Sequence, residues 1–153
     1  MPTPEERLQE LGVSLPAPAV PVAAYVPCVR TGNLVYVSGQ VPMVDGRPSH
    51  LGHLGGDVDL EDGRAAARTC AVNVLAALKA ELGELSRVRR VVKVTGFVAS
   101  TPGFTDMPKV VNAASELFGE VFGDAGRHAR AAVGVAALPL GVPVEVEAIV
   151  EVA

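Results

Sequence analysis

The order of elements written into this sequence predicts a single-domain α+β protein with helices covering one face of a mixed sheet. Three observations lead there. A chain of 153 residues has the length of one domain. Its apolar fraction of 49%, against 20% charged residues, gives a packed core rather than disorder. Its apolar periodicity switches between helical and strand spacing in the order α-β-β-loop-α-β-α-β-β, and no linker or internal repeat divides it.

The elements follow in order. Thr3-Pro4-Glu5-Glu6 reads as a capping box with Pro4 at the first helical position, and Gly12 ends the short helix it opens. Residues 14 to 21 are Pro-rich and are expected to run extended, so residues 1 to about 20 form an N-terminal helical extension of the domain. Two apolar runs, roughly Val22–Arg30 and Leu34–Val41, flank Thr31-Gly32-Asn33. That is a hairpin signature, with Gly32 or Asn33 able to take a positive φ. Asp45-Gly46 marks another turn, and a Gly- and His-bearing loop runs from Ser49 to Asp57.

Asp59 then looks like an N-cap. Cys70, Val74, Leu75, Leu78 and Leu82 fall on one helical face, and Gly83 stops the helix. The valines of residues 88 to 99 favour a long strand. A second helix spans about Asp106 to Val121. Strands at about 129 to 137 and 143 to 152 finish the chain, with Ala137-Leu138-Pro139-Leu140-Gly141 between them.

The core is built of small residues. Ala, Val and Gly abound, Trp is absent and aromatics are 4%. Such a core buries little area per residue, so added burial by oligomerisation is expected. Many positions of outward parity in the strands are Val or Ala, which again favours a partner.

Composition also narrows the function. A net charge of −4 argues against a nucleic-acid binder, and Arg87-Val88-Arg89-Arg90 with Lys93 reads as a solvated strand start. No 18-residue apolar run suggests a membrane span, and the acidic N-terminus does not resemble a signal peptide, so the expected compartment is the cytoplasm. Cys28 and Cys70 match no metal spacing, and Cys70 reads as a core residue. His50 and His53 sit three apart in a Gly-rich loop without an evident third ligand, so no metal is expected. Gly52, Gly55 and Gly56 lack the Lys-Ser/Thr of a phosphate loop, and Ser38 lacks a nucleophile elbow. No cofactor is implied.

Arg130 stands out. Ala129-Arg130-Ala131-Ala132-Val133-Gly134-Val135 is apolar except for this one cation. A buried guanidinium needs a partner, and its planar fork suits a carboxylate or phosphate. The pattern leaves two readings: an internal ion pair with Glu145 or Glu147, or a ligand anchor. Glu145 and Glu147 share one strand face by parity. If the last two strands form a hairpin centred near Leu140, Glu145 pairs near Val135. Arg130 then lies five residues further, roughly 16 Å at about 3.3 Å per residue. Within one chain the two would not meet.

Four blocks carry a family resemblance: Gly32-Asn33-Leu34-Val35-Tyr36-Val37-Ser38-Gly39-Gln40-Val41-Pro42, Val111-Asn112-Ala113, Ala129-Arg130-Ala131-Ala132-Val133, and Ala137-Leu138-Pro139 followed by Val144-Glu145-Val146-Glu147-Ala148. In order and spacing they resemble the RidA family, also called YjgF/YER057c/UK114, in a divergent bacterial branch. The resemblance runs from about Val22 to the C-terminus and leaves the N-terminal helix outside.

The resemblance implies a chorismate-mutase-like α+β fold with two main helices on one face, assembled as a homotrimer with ligand clefts between subunits. It also implies hydrolysis of reactive enamines and imines, such as 2-aminoacrylate, to 2-keto acids and ammonia. On it, Arg130 grips the substrate carboxylate and Glu145 orients the attacking water; these are the catalytic pair. Tyr25, Ser38, Gly39 and Asn112 line the pocket, and Ala132 stands where the family often has cysteine. The segment Ala24-Tyr25-Val26-Pro27 departs from the family's usual P-Y-S-Q, which bears on substrate more than on reaction type. The alternatives are a non-catalytic protein binding small carboxylates and, on weaker grounds given the acidic charge, a ribonuclease. One arginine is few for a chorismate mutase.

Overall fold

The computed structural model describes residues 1–18 and 23–153. Alternating burial along the strands shows how the chain is layered. In the last strand, β7 (Val144–Val152), every even-numbered side chain is buried and every odd-numbered one is not. The same alternation runs through the C-terminal half of β5 (Val88–Ala99). The buried face packs on two long helices, α2 (Leu60–Leu82) and α3 (Met107–Phe122), which lie side by side on it. Both helices therefore cover one face, and the fold is the expected α+β.

The sheet also contains β1 (Cys28–Thr31), β2 (Leu34–Gln40) and β6 (Ala129–Val135), in the order β1-β2-β7-β5-β6. All pairings are antiparallel except β5 with β6. The β1–β2 hairpin forms as expected, with Thr31 opposite Leu34 and Gly32 at φ 59°. A small ribbon, β3 (Met43–Val44) with β4 (Arg47–Pro48), closes over the Asp45-Gly46 turn. Asp59 caps α2 by accepting from the Asp62 N–H at 2.8 Å, and Gly83 ends it at φ 84°.

Two expectations need correction. Of the strand expected over Val22–Arg30, Val22 lies outside the described residues, residues 23–27 are not strand, and β1 begins at Cys28. Pro27 has no N–H to give a ladder, and its carbonyl instead accepts from the Ser38 N–H at 2.8 Å; residues 19–22 of the Pro-rich stretch lie outside the described residues. The last two strands do not form a hairpin. β5 lies between them, so Glu145 faces Phe97 and not Val135, while β6 runs parallel to β5 after crossing over through α3. A parallel neighbour requires such a crossover. The turn at Pro139–Gly141, with Leu140 at φ 62° and Gly141 at φ 76°, carries the chain back past β5.

Helix α1 (Pro4–Glu10) has the expected capping box. It buries Leu8 in the core, and its Glu5 Oε2 accepts from both Lys79 Nζ and the Leu85 N–H at 2.8 Å. Gly96 lets α3 approach β5 closely, since a Cβ there would overlap the Val111 side chain. Among the described residues no helix is long and apolar enough to cross a membrane.

Candidate functional site

The sequence-predicted residues separate into two groups on opposite faces of the sheet. One group surrounds Glu145. Its odd parity on β7 turns it away from the helices, beside Glu147 on the same face. The β2–β7 register slips between Val37 and Gln40, placing Ser38 and Gly39 in a bulge. Gly39 is needed there for space rather than for its backbone angles, because a Cβ would overlap the Glu145 carboxylate. Ser38 donates its hydroxyl to the Val26 carbonyl at 2.6 Å, which ties the segment bearing Tyr25 to the bulge. Tyr25 itself is 54% exposed. Burial, with the neighbouring charge of Glu147 second, raises the pKa of Glu145 above the ordinary carboxylate value.

The other group surrounds Arg130. Its register partner is Val94, a buried residue of the helix side, so Arg130 turns toward α3 at the open edge of the sheet. Nη1 donates to Asn112 Oδ1 at 2.7 Å and to Ser115 Oγ at 3.2 Å. Asn112 and Ser115 are three apart on α3 and so share a helix face. Nη2 donates to the Pro108 carbonyl at 3.5 Å. Ala132 shares the parity of Arg130, lies opposite Gly96 and packs against the core.

Arg130 makes no ion pair among the described residues; its three acceptors are all neutral. Nε–H and one hydrogen of Nη2 have no acceptor among the described residues, and a guanidinium can hold a carboxylate with two parallel bonds. Arg130, His128, Ser115 and Gly126 line an open groove of about 390 Å³. Arg130 and Glu145 are two strand spacings apart, about 9.5 Å, and offset by three residues, about 10 Å, on opposite faces. They do not meet in one chain. Sequence reasoning expected that separation from a hairpin; the interposed β5 produces it instead.

The face opposite the helices is apolar for its position. Val29 and Tyr36 are 54% and 45% exposed, and with Thr95, Glu147 and Ile149 they line a concavity of about 380 Å³. His50 and His53 are used structurally: His50 Nδ1 lies 2.9 Å from Ser49 Oγ, and His53 Nε2 lies 2.8 Å from the Ala136 carbonyl. Cys70 is fully buried, and burial raises its pKa well above the ordinary thiol value. Two residues around Arg130, Ser115 and His128, were missed from the sequence. The available signal was spacing: Ser115 is three after Asn112, and His128 is two before Arg130.

A mixed sheet with paired helices on one face, an edge arginine and a bulge-seated glutamate define a class of small α+β proteins. A family model described as "YjgF/chorismate mutase-like, putative endoribonuclease" matches residues 5–151, and the chain belongs to this family. The match begins in α1, so the N-terminal helix is inside the family's span rather than outside it. The chain is 50% identical to Protein TCP17 of Trypanosoma cruzi over 94% of this chain and 91% of that one. It is 33% identical to the 2-iminobutanoate/2-iminopropanoate deaminase of Dermatophagoides farinae over 90% and 93% of the two chains. A crystal structure of the Agrobacterium tumefaciens protein Atu1372 superposes with a TM-score of 0.93 at 52% identity, covering 98% of this chain and 92% of that one.

Proposed function

We propose that this protein hydrolyses small 2-imino or enamine carboxylates to 2-keto acids and ammonia, at sites that neighbouring subunits of a homotrimer complete together. The observation that carries this reading is the guanidinium of Arg130, which is oriented by neutral acceptors while its Nε–H and one Nη2 hydrogen have no acceptor among the described residues. A relative 33% identical over nine-tenths of the chain is named for this activity, which supports the reaction class.

The chemistry asks little of the protein. An iminium carbon is already electrophilic. Arg130 would hold the substrate carboxylate with two charge-assisted bonds and so fix the position of that carbon. Glu145 of the adjacent subunit would take a proton from water as its oxygen bonds to the carbon. It would return that proton to nitrogen and take up the remaining hydroxyl proton as the C=O forms and the C–N bond breaks, releasing ammonia and the 2-keto acid and then passing its proton to solvent. A carboxyl with a raised pKa suits both steps, since it gives and takes a proton nearer neutrality. The separation of Arg130 from Glu145 within the chain is what calls for a shared site. The apolar face bearing Val29 and Tyr36 is the surface on which subunits would meet.

The test is steady-state hydrolysis of enzymatically generated 2-aminoacrylate by wild type and Arg130→Ala. The variant is expected to fold and to lose at least about 100-fold in kcat/KM. Full activity in Arg130→Ala would overturn the assignment. Ligand binding by the wild type without acceleration would favour a non-catalytic carboxylate-binding protein. RNA cleavage that persists in the variant would favour the ribonuclease reading, against which the net charge of −4 argues.

A further inference from the structure

The two long helices carry one hydroxyl residue each, and they use it differently. Thr69 on α2 donates to the Ala65 carbonyl four residues back, at 3.1 Å, as mid-helix hydroxyls commonly do. Ser115 on α3 turns outward instead. Its Oγ lies 2.9 Å from His128 Nε2 and 3.2 Å from Arg130 Nη1.

Donor and acceptor chemistry fixes two of the bonds in this chain. A guanidinium only donates, so Ser115 Oγ accepts from Arg130. A carbonyl only accepts, so His128 Nδ1 carries a proton and donates it to the Gly126 carbonyl at 2.7 Å. In the neutral ring Nε2 is then an acceptor and takes the hydroxyl proton of Ser115. The ring is held from a second side by Phe118, edge-on with centroids 6.0 Å apart at 86°. Gly126 is itself pressed on α3, where a Cβ would overlap the Phe118 carbonyl. Burial lowers the pKa of His128, and the charge of Arg130 lowers it further, against the opposing effect of the Gly126 bond. The net shift is downward and favours the neutral ring.

We propose that Ser115 and His128 are a positioning pair for Arg130. Together with Asn112 they occupy both hydrogens of Nη1, fix the plane of the guanidinium and leave its Nε–Nη2 edge turned to the ligand carboxylate. The inference rests on the reading of Arg130 as a carboxylate anchor. Without Ser115 the guanidinium would keep only the short bond to Asn112 and the long 3.5 Å bond to the Pro108 carbonyl, a looser hold than three acceptors give. Arginine has large rotamer entropy, so an arm ordered before binding loses less on binding. Neither residue touches the reacting atoms, so loosening the pair should act on KM and not on kcat.

The experiment compares wild type, Ser115→Ala, Ser115→Thr and His128→Gln by nitrogen-15 NMR of the arginine side chains and by the dissociation constant for pyruvate. In wild type the Arg130 Nη protons should be resolved by slowed rotation, and His128 should show the Nδ1–H tautomer. Ser115→Ala should average the Arg130 signals and raise the pyruvate Kd and the KM roughly 3- to 10-fold, with kcat unchanged. Ser115→Thr keeps the hydroxyl, and His128→Gln keeps an acceptor near the Nε2 position; both should stay near wild type. Alanine suits a helix, so Ser115→Ala should fold. Unchanged Arg130 signals in Ser115→Ala would overturn the pair, as would a fall in kcat at constant KM. Imine hydrolysis by the wild type is a separate assay: its absence would sink the hydrolase reading, while the NMR comparison would still decide the positioning pair.

Discussion

Arg130 and Glu145 are opposites in what surrounds them. The arginine has three neutral acceptors and no carboxylate; the glutamate has a second carboxylate beside it and no cation among the described residues. One lies on the helix side at the sheet edge, the other on the open side near the sheet centre. Both charges are only half-buried, yet each stands without a counter-charge among the described residues, which leaves each able to take one from a ligand. A ligand carboxylate would satisfy the arginine. A substrate iminium and its water would satisfy the glutamate. The contrast therefore supports two half-sites that assembly brings together.

Mixing subunits is the strongest way to break this comparison. Arg130→Ala and Glu145→Gln, each alone, should lose at least about 100-fold in activity. Co-refolded in equal amounts, the two variants should regain about a quarter of wild-type activity, because in the proposed cyclic trimer about one interface in four joins an intact arginine to an intact glutamate. No recovery on mixing would place both residues in the service of one chain, or of none.

The pH dependence of kcat sharpens the Glu145 half. A base must be ionised to accept the proton of water. Its pKa is raised, first by burial and then by Glu147, so kcat should fall as pH drops through a value above the ordinary 4.5. Glu147→Gln removes the like charge and should move that inflection to lower pH. An inflection that stays in place would show that Glu147 does not act on the base. Gly39→Ala should cost less. The added methyl pushes the Glu145 carboxylate aside, and about a tenfold loss in kcat is expected from the displaced base. Wild-type kcat in Gly39→Ala would mean that Glu145 does not need its seat in the bulge.

Much of this contrast was legible from residue order, and the reasons are local. Asp59 and Gly83 delimit α2 because caps and positive φ are properties of single residues. Arg130 stood out because one cation in an apolar strand is conspicuous. Strand order was not legible. Residues 137–141 look like a hairpin turn, and only the long-range insertion of β5 between β6 and β7 shows otherwise. Ser115 and His128 escaped notice because a serine inside a helix and a histidine before a strand are ordinary on their own. Their meaning comes from the crossover that lays β6 beside α3.

The smallest expected effect tests the same contrast through stability, with Glu5 as the carboxylate that does have its cation. Burial would raise the pKa of Glu5, but the hydrogen bonds from Lys79 and from the Leu85 N–H outweigh it and the net shift is downward. The signs follow from linkage. Glu5 contributes stability above its unfolded value near 4.5, and that contribution is lost as pH falls through the lower folded value. Glu145, with a raised pKa, opposes folding above its folded value and stops doing so as pH falls toward its unfolded value. Glu5→Ala leaves the buried Leu85 N–H without its acceptor and should cost roughly 1–3 kcal/mol. At about 2–4 °C per kcal/mol for a chain of this size, Tm should fall by several degrees at neutral pH and by less near pH 3. Glu145→Gln should leave Tm unchanged or raise it at neutral pH. Thermal melts of both variants at the two pH values would decide the matter: a fall in Tm for Glu145→Gln equal to that for Glu5→Ala would mean that Glu145 has a counter-charge after all and that the comparison fails.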